Sequence, residues 1–303
     1  MNPERLAKGI YWDRSLKLDE GCTPVSEGCE HCWSAKETYR MAHHPNKNIS
    51  GPKKGLADRE GFNGNINLRY DNLDIPLHTR KPTVWAIWND LFHEDVPADF
   101  IQAAFDMMIR AQWHTYLILT KRADRMAKLL PHIRTGCGFK WKDQPWEHVW
   151  PGVTVENQDH EDRIEKLIQT PAAHRWVSIE PMLGPVESDY NAFPFFAFEN
   201  EQGTITPGID AVVLGGETGS GARPMEIDWV RSVRDQCQAA KVSFFFKQWG
   251  EWAPVYAPGS NLEGADLMQR VGRKKAGRLL DGRPWDELPW YATNKTNDNE
   301  LHE

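Results

Sequence analysis

The sequence of 303 residues lacks the marks of a membrane or secreted protein. No stretch approaches the roughly 18 consecutive apolar residues of a membrane-spanning helix. The N-terminal residues MNPERLAKGIYWDR also lack the apolar core of a signal peptide. We therefore expect a cytoplasmic protein that has no membrane partner.

The chain also lacks an excess of positive charge. Its net charge of −7 argues against nonspecific coating of nucleic acid by the whole surface. Basic clusters are nevertheless present at 53–54, 80–81, 121–122 and 273–275, and the chain has 14 tryptophans. Aromatic rings beside cations can stack on bases and hold phosphates, although such clusters are more often solvated surface.

Cysteine is scarce, and its number is odd. Three of the five cysteines, Cys22, Cys29 and Cys32, lie in the stretch GCTPVSEGCEHCWS, whereas Cys137 and Cys237 stand alone. We expect the two isolated residues to be ordinary structural thiols. A reducing compartment disfavours disulfides, so the tight cluster predicts metal binding or catalysis.

The spacing C-x6-C-x2-C lacks a fourth cysteine and is open to three interpretations. A structural zinc site would need a fourth ligand, which His31 or a remote cysteine could supply. A redox pair of Cys29 and Cys32 would leave Cys22 without a role. An iron–sulfur cluster held by three thiolates would keep one iron open, as a substrate-binding cluster requires.

From residue 82 onward, short apolar runs alternate with amphipathic stretches, which predicts parallel strands joined by helical crossovers. The predicted strands are 82–90, 114–122, 149–157, 174–182, 210–217 and 242–250, and the predicted helices are 98–112, 123–133, 159–170 and 227–240. If the cysteine segment adds an opening strand and helix, about six to seven parallel strands result. This α/β pattern favours a full or partial β/α barrel over an open doubly wound sheet.

The predicted barrel domain spans residues 1–255. Two segments interrupt its alternation, 44–81 and 183–209, and both are expected to be insertions over one barrel end. Residues 256–303 are expected to form a small appendage. Within it, 271–289 predicts a β-hairpin, and the polar residues that follow predict a tail.

Polar or ionisable residues follow every predicted strand. They are Asn89, Asp90, Thr120, Lys121, Arg122, Thr154, Glu156, Asn157, Ser178, Glu180, Glu217, Lys247, Gln248 and Trp249. Any one of them could be half of a structural ion pair. Because the carboxyl ends of parallel strands meet at one end of a barrel, the whole set predicts a large polar pocket.

The segment LGGETGSGARP, at 214–224, predicts a glycine-rich turn between a strand and a helix. Gly215 and Gly216 would let the backbone approach a ligand, and Glu217 and Arg223 could contact a zwitterion or a phosphate. The spacing does not match the phosphate-binding fingerprints. A tight turn that needs glycine only for its geometry is the alternative.

Seven segments in order, GCTPVSEGCEHCW, LILTKRADRM, WPGVTVENQ, WVSIEPMLGPV, VVLGGETGSGARPM, WVRSVRDQC and FFFKQWG, closely resemble a protein family of bacteriophages and bacteria whose function is not established. The likeness covers residues 9–290. That family looks like a distant relative of spore photoproduct lyase in the radical S-adenosylmethionine superfamily. The common superfamily motif is C-x3-C-x2-C, so the first gap here is longer.

The resemblance implies a [4Fe–4S] cluster on Cys22, Cys29 and Cys32, with S-adenosylmethionine on the open iron. It further implies a reducing electron donor and a 5′-deoxyadenosyl radical that abstracts hydrogen from a substrate. The implied cofactor-binding residues are His31, Trp33, Asn89, Asp90, Thr120, Glu156, Gly215, Gly216 and Arg223. The implied catalytic residues are Lys121, Glu180, Glu217 and Lys247, with Gln248 toward the substrate.

The expected substrate is nucleic acid or a nucleotide, for repair or modification by a lyase or transferase. This expectation rests on the basic and aromatic loops and on the likeness to a DNA-repair lyase. One alternative is a nucleic-acid-binding protein that zinc or a cluster stabilises without catalysis. Another is a barrel enzyme that uses Lys121 or a carboxylate as its acid or base.

Overall fold

The structure is a computed structural model that describes residues 2–134, 138, 140–143, 145–187, 196–199, 205–255 and 267–291. Its strands are β1 (Arg14–Ser15), β2 (Asp19–Glu20), β3 (Asn67–Leu68), β4 (Val84–Ile87), β5 (Thr115–Thr120), β6 (Val149–Thr154), β7 (Trp176–Ile179), β8 (Ala197–Glu199), β9 (Ile205–Pro207), β10 (Ala211–Gly215), β11 (Ser243–Gln248), β12 (Trp252–Val255) and β13 (Leu267–Arg270). Its α-helices are α1 (Pro3–Ala7), α2 (Trp33–Ala42), α3 (Lys47–Ser50), α4 (Ile75–His78), α5 (Ala98–Arg110), α6 (Ala123–Leu129), α7 (Asp162–Gln169), α8 (Ile227–Ala240) and α9 (Arg273–Ala276).

Seven parallel strands form a half-barrel, in the order β1, β4, β5, β6, β7, β10, β11. The predicted partial barrel is therefore confirmed. The strand order follows the chain without the reversal that defines a doubly wound sheet, so that alternative is wrong. The opening strand β1 lies before the cysteines and has only two residues, paired with Trp85 and Ala86 of β4.

Alternate residues along each strand face opposite sides of the sheet, and both sides are packed. The outer side packs against the crossover helices. In α8, for example, the buried residues recur at helical spacing: Ile227, Val230, Val233, Cys237 and Ala240. The inner side is an apolar cluster inside the half-barrel, formed by Tyr11, Val84, Leu117, Trp150, Trp176, Ala211, Val213, Phe245 and Trp290.

The C-terminal part of the chain returns to the half-barrel. Trp290 is fully buried in the inner cluster, and its indole Nε1 donates to the carbonyl of Tyr11 at 3.0 Å. The antiparallel hairpin consists of β12 and β13, so it begins at Trp252, upstream of the predicted 271–289. That predicted stretch instead contains α9, and its Trp285 packs against β11. Its apolar side chains are buried in the core and are therefore not free to form a separate hairpin.

Both predicted insertions contain short antiparallel pairs. In the first, β3 pairs with β2, which directly precedes the cysteines. In the second, β8 pairs with β9, while its residues 188–195 and 200–204 lie outside the described residues. Cys137 and the predicted tail after 291 also lie outside them. Among the described residues, no helix is long and apolar enough to cross a membrane.

Candidate functional site

One cavity opens at the carboxyl ends of the half-barrel strands, and most of residues 21–34, here called the cysteine loop, line it. Its volume is about 210 Å³. Polar strand ends that line it are Asn89, Asp90, Thr120, Lys121, Arg122, Thr154, Ser178, Glu180, Glu217 and Lys247. Cys22, Cys29 and Cys32 line the same cavity. The strand ends and the thiols therefore belong to a single site.

Arg122 attaches the start of the cysteine loop to the ends of β4 and β5. Its guanidinium donates to Asp90 at 2.7 Å and to the Thr23 carbonyl at 3.1 Å, and lies 3.8 Å from Cys22 Sγ. Thr23 also hydrogen-bonds His93, at 2.8 Å. Burial and the nearby Asp90 carboxylate raise the pKa of the Cys22 thiol to about 12.

Lys121 is the cation beside the second thiol. Its Nζ lies 3.6 Å from Cys29 Sγ and 2.9 Å from Ser26 Oγ, and it forms an ion pair with Glu156. Burial raises the pKa of Cys29, but Lys121 and hydrogen bonds from Val25 and Ser26 outweigh burial, so the pKa lies below its ordinary value. Cys29 is the thiol most readily deprotonated in this loop.

Glu156 is a buried carboxylate that contacts the cysteine loop and supports it. It is fully buried, pairs with Lys121 and with Arg163 at 2.8 Å, and accepts from Ser26 at 2.5 Å. A side chain on Gly28 would come within 2.5 Å of its Oε1, so glycine permits the close approach. Although burial opposes its charge, Lys121 and Arg163 hold the pKa of Glu156 below its ordinary value.

Cys32 lies at the N-terminal end of α2. Backbone N–H groups of Ser34 and Ala35 point at its sulfur, while burial raises the pKa of the thiol. The charge of Cys29 raises the pKa of both Cys22 and Cys32 as well. The charge of Cys29 therefore acts on both of the other thiols.

The far side of the loop is tied to the ends of β6 and β10. Glu27 accepts from Asn157 at 2.7 Å and lies 3.1 Å from His160. Arg223 donates to Glu217 at 2.7 Å and to the Glu27 carbonyl at 2.9 Å. Ends of four strands thus hold one loop in place over the cavity.

One further ion pair lies apart from these loop contacts. Lys247 Nζ donates to Glu180 Oε1 at 2.5 Å, and both residues line the cavity at the ends of β11 and β7. Tyr11, Trp12 and Trp88 line the cavity beside them. The Lys247 ammonium lies 5.9 and 5.7 Å from the ring centroids of Tyr11 and Trp12.

Most residues with a predicted role line the cavity. They are His31, Trp33, Asn89, Asp90, Thr120, Lys121, Glu180, Gly216, Glu217 and Lys247. Four others lie outside the lining and contact residues that form it: Glu156, Gly215, Arg223 and Gln248. Glu156 and Arg223 therefore support the loop, and their predicted contact with a cofactor stays a prediction.

Sequence reasoning did not identify Ser26, Arg163, Tyr11, Trp12 and Trp88. Arg163 lies on α7 and meets Glu156 only through folding. Ser26, three positions before Cys29, could have been suspected from its place in the motif. Tyr11 and Trp12 precede a strand too short to leave a periodic signal.

The thiols carry no disulfide in the described residues, where Cys22, Cys29, Cys32 and Cys237 are all free. No three His, Cys, Asp or Glu side chains of the described part of the chain are arranged to hold a single metal ion. Cys237 is fully buried in α8, as expected of a structural thiol.

Comparison with known proteins gives one family. The family model described as DUF5131, protein of unknown function, matches residues 8–289. The chain belongs to this family. No curated protein and no solved structure matches it. The match spans the half-barrel, the cysteine loop and most of the returning C-terminal segment.

Proposed function

We propose that this protein is a radical S-adenosylmethionine-type enzyme that modifies or repairs nucleic acid or a nucleotide. The observation that carries the proposal is the convergence of three thiols and the polar strand ends on one cavity of a half-barrel. A structural metal site would not need such a cavity. An open coordination position beside a pocket is the arrangement of catalytic metal centres.

The donor set fits a [4Fe–4S] cluster. Cys22, Cys29 and Cys32 are all half-buried and free, and thiolate is the usual cluster ligand. Arg122 and Lys121 lie 3.8 and 3.6 Å from two of the sulfurs and would offset the negative charge of the bound thiolates. The reducing cytoplasm that the sequence predicts would keep these thiols available.

When bound, the cluster and S-adenosylmethionine would together supply one-electron cleavage to a 5′-deoxyadenosyl radical, given an external electron donor. The protein's own part is to bind, orient and exclude water. Asn89, Asp90 and Thr120 lie on the cavity lining, and their polar groups are suited to the polar ends of the cofactor. Glu180 and Lys247 lie on the same lining, where a substrate would be held.

The test begins with anaerobic purification and analysis of iron and sulfide. We expect about four irons per chain, as a [4Fe–4S] cluster requires. Cys29→Ala should lose them, whereas the control Cys237→Ala should retain them because this thiol is buried in α8. The loaded protein with dithionite and S-adenosylmethionine should release 5′-deoxyadenosine.

The alternative is a metal-stabilised nucleic-acid-binding protein without catalysis. Trp33, 61% exposed beside Cys32, is the observation that favours it, since an exposed ring can stack on a base. One zinc per chain and no cluster absorption would reject the radical enzyme. A loaded cluster that yields no 5′-deoxyadenosine would favour the binding protein.

A further inference from the structure

Three aromatic side chains on the cavity lining have no role in holding the cysteine loop. Tyr11, Trp12 and Trp88 contact one another, with ring centroids 4.8 Å apart for Tyr11 and Trp12, 5.7 Å for Tyr11 and Trp88, and 5.1 Å for Trp12 and Trp88. Together with the Glu180–Lys247 pair they form what we call the aromatic compartment. Its residues come from the segment before β1 and from the ends of β4, β7 and β11.

Residues of the inner core and Arg5 hold these rings in place, so the compartment is formed without a ligand. Tyr11 packs on Phe245 at 5.5 Å and on Trp176 at 6.0 Å, in the inner core. The Trp12 carbonyl accepts from Arg5 at 2.8 Å. A preformed compartment binds without the entropy cost of ordering its side chains.

The position of Lys247 disfavours a second cation at two of the rings, while its partner Glu180 leaves the compartment without net charge. Aromatic rings can bind a cation through their faces. Here the Lys247 ammonium already lies within 6 Å of the Tyr11 and Trp12 centroids, so a second cation would meet repulsion. A neutral flat ring meets no such penalty, and the half-buried Trp12 and Trp88 offer it apolar surface.

The ion pair also retains hydrogen-bonding capacity toward the cavity. An ammonium carries three donors and a carboxylate has two acceptor oxygens. The contact between Lys247 Nζ and Glu180 Oε1 uses one donor and one oxygen. A donor and an acceptor side by side match the edge of a nucleobase, which presents both kinds of group.

We infer that the aromatic compartment binds a nucleobase of the substrate, which stacks on Trp12 or Trp88 while Glu180 and Lys247 hydrogen-bond its edge. The inference rests on the proposed function only for the reaction that would follow. Binding itself needs no cluster. The adenine of S-adenosylmethionine has the same chemistry. However, none of the five side chains of the compartment comes from the cysteine loop, where the cofactor would bind.

The test is calorimetric titration of the full chain with each of the four deoxynucleosides, with deoxyribose as the base-free control. Trp12→Leu and Trp88→Leu keep apolar volume and remove the ring. We expect each to weaken nucleoside binding about ten-fold, the effect of losing one stacking ring. Trp113→Leu is the matched control, since this half-buried tryptophan bonds the Thr79 carbonyl outside the cavity lining.

Two further measurements identify the source of the base. Glu180→Gln should change the ranking among the four nucleosides without abolishing binding, because it replaces an acceptor pair by an amide. Titration with S-adenosylmethionine should give the same affinity for Trp12→Leu as for the unaltered chain. Loss of S-adenosylmethionine binding with nucleoside binding intact would assign the compartment to the cofactor and overturn the inference.

Failure of this inference is distinct from failure of the proposed function. No nucleoside binding, or binding that both leucine variants leave unchanged, rejects the nucleobase compartment whatever the iron content is. Absence of a cluster with nucleoside binding that depends on Trp12 and Trp88 rejects the radical reaction and retains the compartment. Thermal melting of each variant confirms that it is folded before binding is measured.

Discussion

The same strands form both ends of the half-barrel interior, but the residues at the two ends differ in kind. One end is apolar and aromatic, and the other is polar and charged. At the amino ends of the strands, Trp150 and Trp176 pack around Trp290 at centroid distances of 5.5 and 6.1 Å. At the carboxyl ends, Lys121 and Glu180 face the cavity. On β7 the change takes only four residues, from Trp176 to Glu180.

This difference separates the residues that stabilise the fold from the residues that a ligand can contact. Large apolar rings out of water stabilise the fold by their burial. Charges near the cavity gain little from burial and are present in pairs, each holding another side chain in position. Substitutions at the two ends should therefore differ in kind, and three predictions examine this.

The largest effect is expected at the apolar end. Trp290→Ala should lower the free energy of unfolding by about 3–5 kcal/mol, because it empties a fully buried site that links the C-terminal segment to Tyr11. Urea denaturation measures the change. Trp33→Ala, at an exposed tryptophan, should shift it by less than about 0.5 kcal/mol. Equal urea midpoints for the two variants would contradict a stabilising role for the buried Trp290.

A smaller effect is expected where the polar end supports the cysteine loop. Glu156→Gln removes the charge that pairs with Lys121 and Arg163, and should cost about 2–3 kcal/mol, with faster amide exchange in residues 21–34. Asp162→Asn makes the same chemical change in an exposed pair with Lys166 and should cost under about 0.5 kcal/mol. Unchanged exchange in the loop would show that Glu156 does not support it.

The smallest effect at pH 7 concerns His148, which precedes β6 at the end opposite Glu156. Burial lowers its pKa from the ordinary 6.5 to about 4. Between these values the unfolded chain binds a proton that the folded chain does not, so stability falls as the pH falls from 6.5 to 4.

The variant His148→Gln should lose less stability than the unaltered chain as the pH falls. At pH 7 it should change the free energy of unfolding by less than about 1 kcal/mol. Urea midpoints measured from pH 7 to pH 4 give the comparison. His114, whose pKa burial also lowers, should retain part of the pH dependence. Parallel curves for the two proteins would rule out His148 as a source of the loss.

Much of the fold was predictable because it depends on local patterns. Strands β4 to β7, β10 and β11 and helices α5 to α8 all fall within predicted segments, since each buries a periodic set of apolar residues. The two-residue strand β1 carries no such pattern. The hairpin was predicted too far along the chain, because the apolar side chains at 280–290 resemble a hairpin but belong to the core.

The residues of the candidate site were predictable as a set. Which of them line the cavity and which support the cysteine loop was less predictable. Polar residues after strands must meet at one end of a parallel barrel, so Asp90, Lys121 and Glu180 were expected together. The position of Glu156 beneath the loop was not, because it depends on Arg163, which approaches from a helix. The role of Arg223 as a tether likewise depends on where Glu217 and Glu27 come to lie.

The sequence by itself determined the alternation of strands and helices, the cluster of three cysteines and the polar residues that follow each strand. Periodicity and spacing express these features within short segments of chain. Only the tertiary structure decided which aromatic residues line the cavity and which fill the barrel. Tyr11 and Trp290 meet across 279 positions of sequence, and a contact between such distant residues leaves no local pattern.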